Sequence, residues 1–232
     1  ASCRNLGVQL VPGPSVVSFP LVEDGSLEID GSVIAPAGIR GDVMFVATRK
    51  GLVYAVGMTS RSILWRVDAK NPLREPPEIG ESLVYVREDP DILYALDSRG
   101  HAAFTMKLPA LPATAVREYR GRLYFGSADG RLFALDPEAA GRTVWEFKAA
   151  GPVRDGPAFS AGRIYFAAGN SLIYAVDSNG KSLWTFDPHD AVDAAPATGG
   201  GRVYFGTAAG DFYALDEATG KRKWVFKLGA AP

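Results

Sequence analysis

The apolar positions of this chain come in short runs at a fixed spacing. Leu123, Tyr124 and Phe125 are consecutive, as are Ile164, Tyr165 and Phe166, and Val203, Tyr204 and Phe205. Runs of this kind, in place of strict apolar/polar alternation, indicate strands covered on both faces of their sheet. A Gly, Asn or Asp turn leads from each run to a second apolar run, and an Asp-to-Gly turn leads on to a third. The pattern is clearest in GRLYFGSADGRLFALDPEAAGRTVWEF (121–147), GRIYFAAGNSLIYAVDSNGKSLWTF (162–186) and GRVYFGTAAGDFYALDEATGKRKWVF (201–226). GDVMFVATRKGLVYAVGMTSRSILWRV (41–67) and ESLVYVREDPDILYALDSRGHAAFTM (81–106) are the same unit with local departures. Each copy predicts three strands joined by hairpins. A weaker strand is expected ahead of each, at 32–38, 76–82, 113–119, 155–160 and 193–198, where Pro and small residues suit a strand start or edge.

The third run of each unit ends on an aromatic ladder. Trp65, Phe104, Trp145, Trp184 and Trp224 are separated by 39, 41, 39 and 40 residues. A period near 40 is the mark of propellers and solenoids. Four-stranded units whose strands are apolar on both faces fit a radial stack of blades, each lying between two neighbours. The fold class expected is all-β, a β-propeller of four-stranded antiparallel blades, with five blades favoured and six the alternative. The expected units span about 32–68, 76–107, 113–148, 155–187 and 193–228, inside one domain of residues 16–232 preceded by a tether over 1–15. The ladder aromatics are expected to pack between blades. Gly126, Gly206, Ala134, Ala175 and Ala214 are expected where blades approach closely.

Asp97, Asp136, Asp177 and Asp216 close the second run of their units, and Gly100, Gly141, Gly180 and Gly220 follow a few residues later. An Asp carboxylate accepts backbone N–H groups of a turn, and Gly takes a positive φ there without steric cost, so these aspartates read as structural. With the aromatic strand, the Gly-rich turn, the Leu/Phe/Tyr-Ala-Leu/Val-Asp segment, the Gly-Lys turn and the Trp, the repeat resembles that of pyrroloquinoline-quinone (PQQ)-type propellers over about residues 32–228. That family includes quinoprotein alcohol dehydrogenases and the non-enzymatic lipoprotein BamB of the outer-membrane assembly machinery. The resemblance implies a fold and a class of partner, because one fold hosts unrelated functions.

Composition narrows the classes. The chain has 232 residues, 47% hydrophobic and 22% charged, consistent with one large all-β core. Lys and Arg total 25 against 26 Asp and Glu, a net charge of -1. With the basic residues scattered, nucleic acid is not the expected partner. No apolar run reaches the length of a membrane helix. The single cysteine, Cys3, follows Ala1-Ser2 as the acylated Cys follows small residues in a bacterial lipoprotein signal. Lipidation of Cys3 would anchor the domain at the cell envelope, in the periplasm or on the outer membrane. Val16 to Leu21 resembles a ladder strand with Phe19 as its aromatic, and is expected at the ring closure. The acidic stretch 23–30 misses the calcium-loop spacing and reads as a solvated loop or short hairpin.

Catalytic patterns are weak. PQQ-dependent members of the family use an eight-bladed ring, calcium, a stacking Trp and a vicinal disulfide, whereas one cysteine and four ladder tryptophans leave neither a disulfide nor a spare platform. His101 and His189 lie in a turn or connector without metal-ligand spacing. No G-x-S-x-G surrounds any serine. No catalytic residue, cofactor or metal ligand is therefore assigned, and recognition of envelope proteins, outer-membrane assembly components among them, is the expected function. The rival readings are a small quinoprotein or other enzyme working in the central funnel, and a ligand-sensing ectodomain of a longer chain. Departures from the repeat mark the candidate partner-binding loops. Gly57 replaces the turn Asp, with Met58 to Arg61 after it; Arg87, Glu88, Asp89, Pro90 and Asp91 replace a Gly turn. Between these units runs an irregular connector, 71–77, on which Leu73 and Arg74 are expected to be exposed. Loops on a rigid scaffold commonly carry binding.

Overall fold

Short hairpin turns leave each repeat unit no choice but to fold as an antiparallel meander, and five such sheets form in chain order. The computed structural model describes residues 26–169, 171–192 and 194–227. The first sheet comprises β1 (Val33–Arg40), β2 (Val43–Thr48), β3 (Leu52–Gly57) and β4 (Ser62–Asp68). The second comprises β5 (Glu78–Ile79), β6 (Val84–Glu88), β7 (Ile92–Leu96) and β8 (Ala102–Lys107). The third holds β9 (Arg117–Tyr119), β10 (Arg122–Gly126), β11 (Arg131–Asp136) and β12 (Arg142–Lys148). The fourth holds β13 (Ala158–Ser160), β14 (Arg163–Ala168), β15 (Leu172–Asp177) and β16 (Ser182–Phe186). The fifth holds β17 (Ala197–Gly199), β18 (Arg202–Gly206), β19 (Asp211–Asp216) and β20 (Arg222–Lys227). This is the β-propeller architecture of four-stranded blades. The first strands lie side by side, β1 against β5, β5 against β9 and β13 against β17, and so form the inner wall.

The blades stack through apolar layers. Phe45, Ala47 and Val53 of the first sheet meet Val84, Val86 and Leu96 of the second. Tyr85 and Leu93 meet Leu123, Phe125 and Phe133 across the next joint. Tyr124 and Leu132 pack on Ile164, Phe166 and Tyr174, and Ala167 and Ile173 on Phe205, Tyr213 and Leu215. Among the described residues these clusters join five sheets through four joints, and none joins the fifth sheet to the first. Val16 to Leu21, expected at the closure, and Cys3 lie outside the described residues.

One register irregularity recurs in all five sheets. The buried alanine at the centre of the third strand pairs with the ladder aromatic, as in Ala55 with Trp65 or Ala134 with Trp145, and the register shifts at the next residue. One extra residue on the fourth strand, such as Leu64, Val144 or Leu183, is left facing solvent. A bulge of this kind bends a strand and re-aims its side chains. The indoles of Trp65, Trp145 and Trp184 accordingly cross to the following sheet. There each Nε1–H donates to a turn carbonyl, of Ser98 at 2.9 Å, Ser178 at 2.9 Å and Glu217 at 3.2 Å. The ring faces lie on Gly100, Gly180 and Gly220, where a Cβ would come within 2.8, 2.7 and 2.6 Å of the indole. Gly126 is also closely approached, by Val153 of the connector to the fourth sheet, whereas a Cβ at Gly206 would meet no described atom nearer than Phe212 at 3.7 Å.

The three turns that receive indoles, and the Asp136 turn that receives Met106, are held by their aspartates. Asp97 Oδ1 accepts N–H bonds from Arg99 and His101, Asp177 Oδ1 from Asn179 and Lys181, Asp136 Oδ1 from Glu138 and Ala139, and Asp216 Oδ1 from Ala218 and Thr219. In the first sheet, where Gly57 stands in the place of the aspartate, Asp42 reaches over from the preceding hairpin and accepts from Thr59 N and Oγ1. Nothing in the repeat pattern singled out Asp42.

Two outcomes follow from these joints. Gly180→Ala is expected to cost about 1–3 kcal/mol through overpacking against Trp145, and Trp145→Ala about 3–5 kcal/mol, whereas Trp224→Ala costs less than about 1 kcal/mol; equal losses for the two tryptophans in urea denaturation would refute this account of the joint. Hydrogen bonds from Lys223 and Thr219 hold the Asp216 carboxyl down at about 2, against an ordinary 3.8. A depressed carboxylate favours the folded state above its unfolded pKa, and that contribution disappears as pH falls through about 2. Carboxyl-detected NMR should find Asp216 titrating there, and Lys223→Gln should move it upward.

Candidate interaction surfaces

The irregular segments of the first two units separate once the side chains are placed. Leu73, expected to be exposed, is buried in the layer between the first two sheets, where its apolar side chain is withdrawn from water. Its backbone pairs with Glu88, so the connector 71–77 is laid along the end of β6. Glu88 is buried too, accepting from Asn71 Nδ2 and from the Tyr94 hydroxyl. That bond, with burial and the carboxylate charge, pushes the Tyr94 phenol up to about 12. Arg87 grips Glu75 through two hydrogen bonds, Nε to Oε1 at 2.8 Å and Nη2 to Oε2 at 3.0 Å, with the two side chains only 12% and 15% exposed. Asp91, largely buried, pairs with Lys107 at 3.5 Å. Leu73, Arg87 and Glu88 therefore clasp the connector to the end of β6, through Asn71 and Glu75, while Asp91 is tied to Lys107 of its own sheet. A buried apolar anchor and satisfied buried charges explain the departure from the repeat.

The rest of that group reaches solvent. Arg74 is exposed and pairs with the half-buried Asp89 at 2.7 Å. Met58 and Arg61 are exposed beside Leu27 and Val56, at the rim of a 400 Å³ groove on the first sheet. Met58 and Arg61 lie at the β3–β4 turn, beside Asp42, whereas Arg74 and Asp89 sit with the connector at the end of β6, at the opposite end of the blades. The histidines are at the surface, with side chains 76% and 87% exposed, each beside an aspartate, Asp97 or Asp187. No group of three metal-ligating side chains occurs among the described residues.

A larger recess opens on the inner wall, which the repeat pattern did not point to. A cavity of 640 Å³ is bounded by Thr114, Arg117, Tyr119, Arg154 and Phe159, with Pro196 at its far side. Its floor is aromatic, since Tyr119 and Phe159 stack with centroids 4.7 Å apart. Its rim is basic. Arg117 pairs with Glu78 of the neighbouring sheet at 3.2 Å, and Arg154 is exposed. Burial raises the Glu78 carboxyl above its ordinary value, a shift that the Glu118 N–H and Arg117 partly oppose. The recess offers aromatic stacking surface beside charged side chains of both signs. Arg154 lies in a connector outside the strand pattern, which is why no periodicity could flag it.

A third surface is the outer face of the fifth sheet. There Phe212, Trp224 and Phe226 are 37%, 39% and 59% exposed and line an apolar hollow with Val225.

Four-stranded blades held by an indole on the next blade's turn define the protein as a PQQ-repeat β-propeller. The family model described as outer membrane protein assembly factor BamB matches residues 22–140 and 128–232, and the chain belongs to that family. No curated protein sequence matches it significantly. Among solved structures it is similar to BamB from Moraxella catarrhalis, at 20% identity and a TM-score of 0.71, over 86% of this chain and 66% of that one. It is also similar to the computationally designed protein Ika8, at 14% identity and a TM-score of 0.73, over 84% of this chain and 61% of that one. Quinohemoprotein alcohol dehydrogenase from Comamonas testosteroni shares 18% identity with a TM-score of 0.68, over 86% of this chain and 43% of that one. The chain thus spans 66% or less of the length of each. At these identities the likenesses show the fold alone, and the enzyme among them carries no activity across to this chain.

The clasp and the exposed rim should respond differently to truncation. Arg87→Ala, which strands Glu75, is expected to cost about 3 kcal/mol, and Met58→Ser less than about 0.5 kcal/mol; chemical denaturation of the two variants checks this.

Proposed function

We propose that this protein is a non-catalytic protein-interaction scaffold of the bacterial cell envelope that takes part in outer-membrane protein assembly. The observation that carries this reading is the family match, which runs through all five repeats and is to a family described by an outer-membrane assembly factor. The geometry supports recognition: the sheets hold an aromatic-floored recess of Tyr119 and Phe159, rimmed by Arg117, Arg154 and Asp155. Such a recess suits a segment that lays an apolar or aromatic side chain on the floor and brings a carboxylate to the exposed Arg154, because ring stacking supplies contact area and charge complementarity orients the partner. Exposed Arg74, with Asp89 beside it, offers a second contact at the connector end of the blades, and Met58 with Arg61 a third at the opposite end. Acylation of Cys3 tethers the propeller to the membrane, a role supported by its place directly after Ala1-Ser2.

A photo-crosslinking residue at position 154, in the full-length protein in its native membrane, is expected to capture components of the outer-membrane assembly machinery. In the otherwise unmodified protein, Arg154→Glu should lower recovery of the same components by ~5-fold or more through charge reversal, with folding unaffected. Absence of any assembly component among the crosslinked products would sink the scaffold reading. Cys3→Ser should release the protein into the soluble fraction; retention at the membrane would remove the anchor from the proposal.

A further inference from the structure

Between the fourth and fifth sheets a carboxylate of this chain fills a place that stands open one joint earlier. Glu217, the residue after the turn aspartate Asp216, has a side chain only 14% exposed; its Oε1 lies 3.6 Å from Arg163 Nη1, and its Oε2 accepts from Ser160 Oγ at 3.0 Å. The backbone carbonyl of the same residue accepts the Trp184 N–H and, at 3.0 Å, the Tyr165 hydroxyl. Arg163 opens β14, in the segment GRIYF, and its charge is answered within the joint.

The joint between the third and fourth sheets repeats the backbone half of this arrangement without the carboxylate. Arg122 opens β10 in the matching segment GRLYF, and Ser178, after Asp177, stands where Glu217 stands one unit later. Ser178 O accepts the Trp145 N–H and also Arg122 Nη1, at 2.7 Å. Among the described residues no carboxylate pairs with Arg122. A second guanidinium lies close by, because Arg120 occupies the hairpin position that Ala161 holds in the fourth sheet, with the same left-handed backbone at φ +52° against +49°. Arg120 is exposed, lies over the Tyr119 ring at 5.5 Å from its centroid, and likewise has no carboxylate partner among the described residues. The two arginines border a hollow of 240 Å³ together with Tyr124, Ile164 and Ser178. Tyr119 touches both this hollow and the inner-wall recess, but the Arg120 hairpin is at the end of the blade opposite the connector that carries Arg154.

A half-buried guanidinium with one carbonyl acceptor keeps most of its N–H donors for another group, and its planar fork matches a carboxylate. We propose that the hollow between Arg120 and Arg122 is a carboxylate-binding site, taking from a ligand the group that Glu217 supplies at the next joint. Arg122 receives the carboxylate as Arg163 receives Glu217, and Arg120 adds a second positive charge. An acidic side chain of a partner protein and a free dicarboxylate present the same group to it. The site is independent of the Arg154 recess, so the crosslinking result there neither supports nor removes it.

The test is to titrate the full chain with glutarate, with the capped peptide acetyl-Gly-Glu-Gly-amide, with neutral glutaramide and with inorganic phosphate, following the arginine Nε–H resonances by NMR. Both carboxylates should shift Arg120 and Arg122 saturably and glutaramide should not, while Arg163, already paired with Glu217, stays in place. Tighter binding of the peptide assigns the site to a partner's side chain, and tighter binding of glutarate to a free dicarboxylate. Arg122→Gln should weaken the tighter ligand by ~10-fold or more, as loss of a charge-assisted hydrogen bond requires. Arg120→Gln, at an exposed position where folding is not at risk, should weaken it by a smaller factor. Ser178→Glu should place a carboxylate of the chain itself in the hollow, raising the melting temperature and removing the response to glutarate. No saturable shift with either carboxylate, phosphate binding as tightly as they do, or an undiminished glutarate response in Ser178→Glu overturns the proposal.

Discussion

Everything about this protein's shape depends on an indole lying flat on a glycine. A tryptophan at the end of one sheet reaches the outer turn of the next, donates to a carbonyl there and stacks on a residue with no side chain. The contact is demanding from both sides. The turn needs a positive φ and no Cβ, and the donor strand needs a bulge that turns the ring out of its own sheet. The turn aspartates, the central alanines and the bulge are the means of meeting those demands. They recur together because losing any of them loosens the same joint.

The second joint shows how far the plan can be relaxed. Phe104 replaces the indole and offers no N–H, and Met106 fills the space over Gly141. A flexible thioether adapts to an irregular gap, so the joint keeps its apolar contact while giving up a directional bond. On the other side of the same sheet the Arg87–Glu75 pair and the buried Glu88 network tie down the connector from the first sheet. Variation that looks like a loop released for binding is, in large part, a polar clasp.

Function follows from what the joints leave free. The inner wall is built from short first strands, and the recess between the third and fourth sheets exposes arginine and aromatic surface on a backbone that cannot easily move. The proposed scaffold role rests on surfaces of that kind and on a family described by an assembly factor. The fifth sheet's bare aromatic face comes from the same principle.

The strands, their order and the five-fold repetition were legible in the chain, because hairpin turns and two-sided burial act over a few residues and leave a periodic record. The ladder positions and the structural role of the turn aspartates were legible for the same reason. What the chain could not show was which repeated residues meet a neighbour. Trp184 and Trp224 are equivalent in sequence, and only the stacking of sheets buries one and leaves the other open. Leu73 and Arg74 are adjacent in an irregular connector, and only tertiary contact sends one into the core and the other to solvent. Asp42 and Arg154 likewise acquired their places from contacts across loops and blades, which have no period. Local chemistry decides what each unit becomes, whereas burial depends on neighbours distant in sequence, and that was settled by the tertiary structure alone.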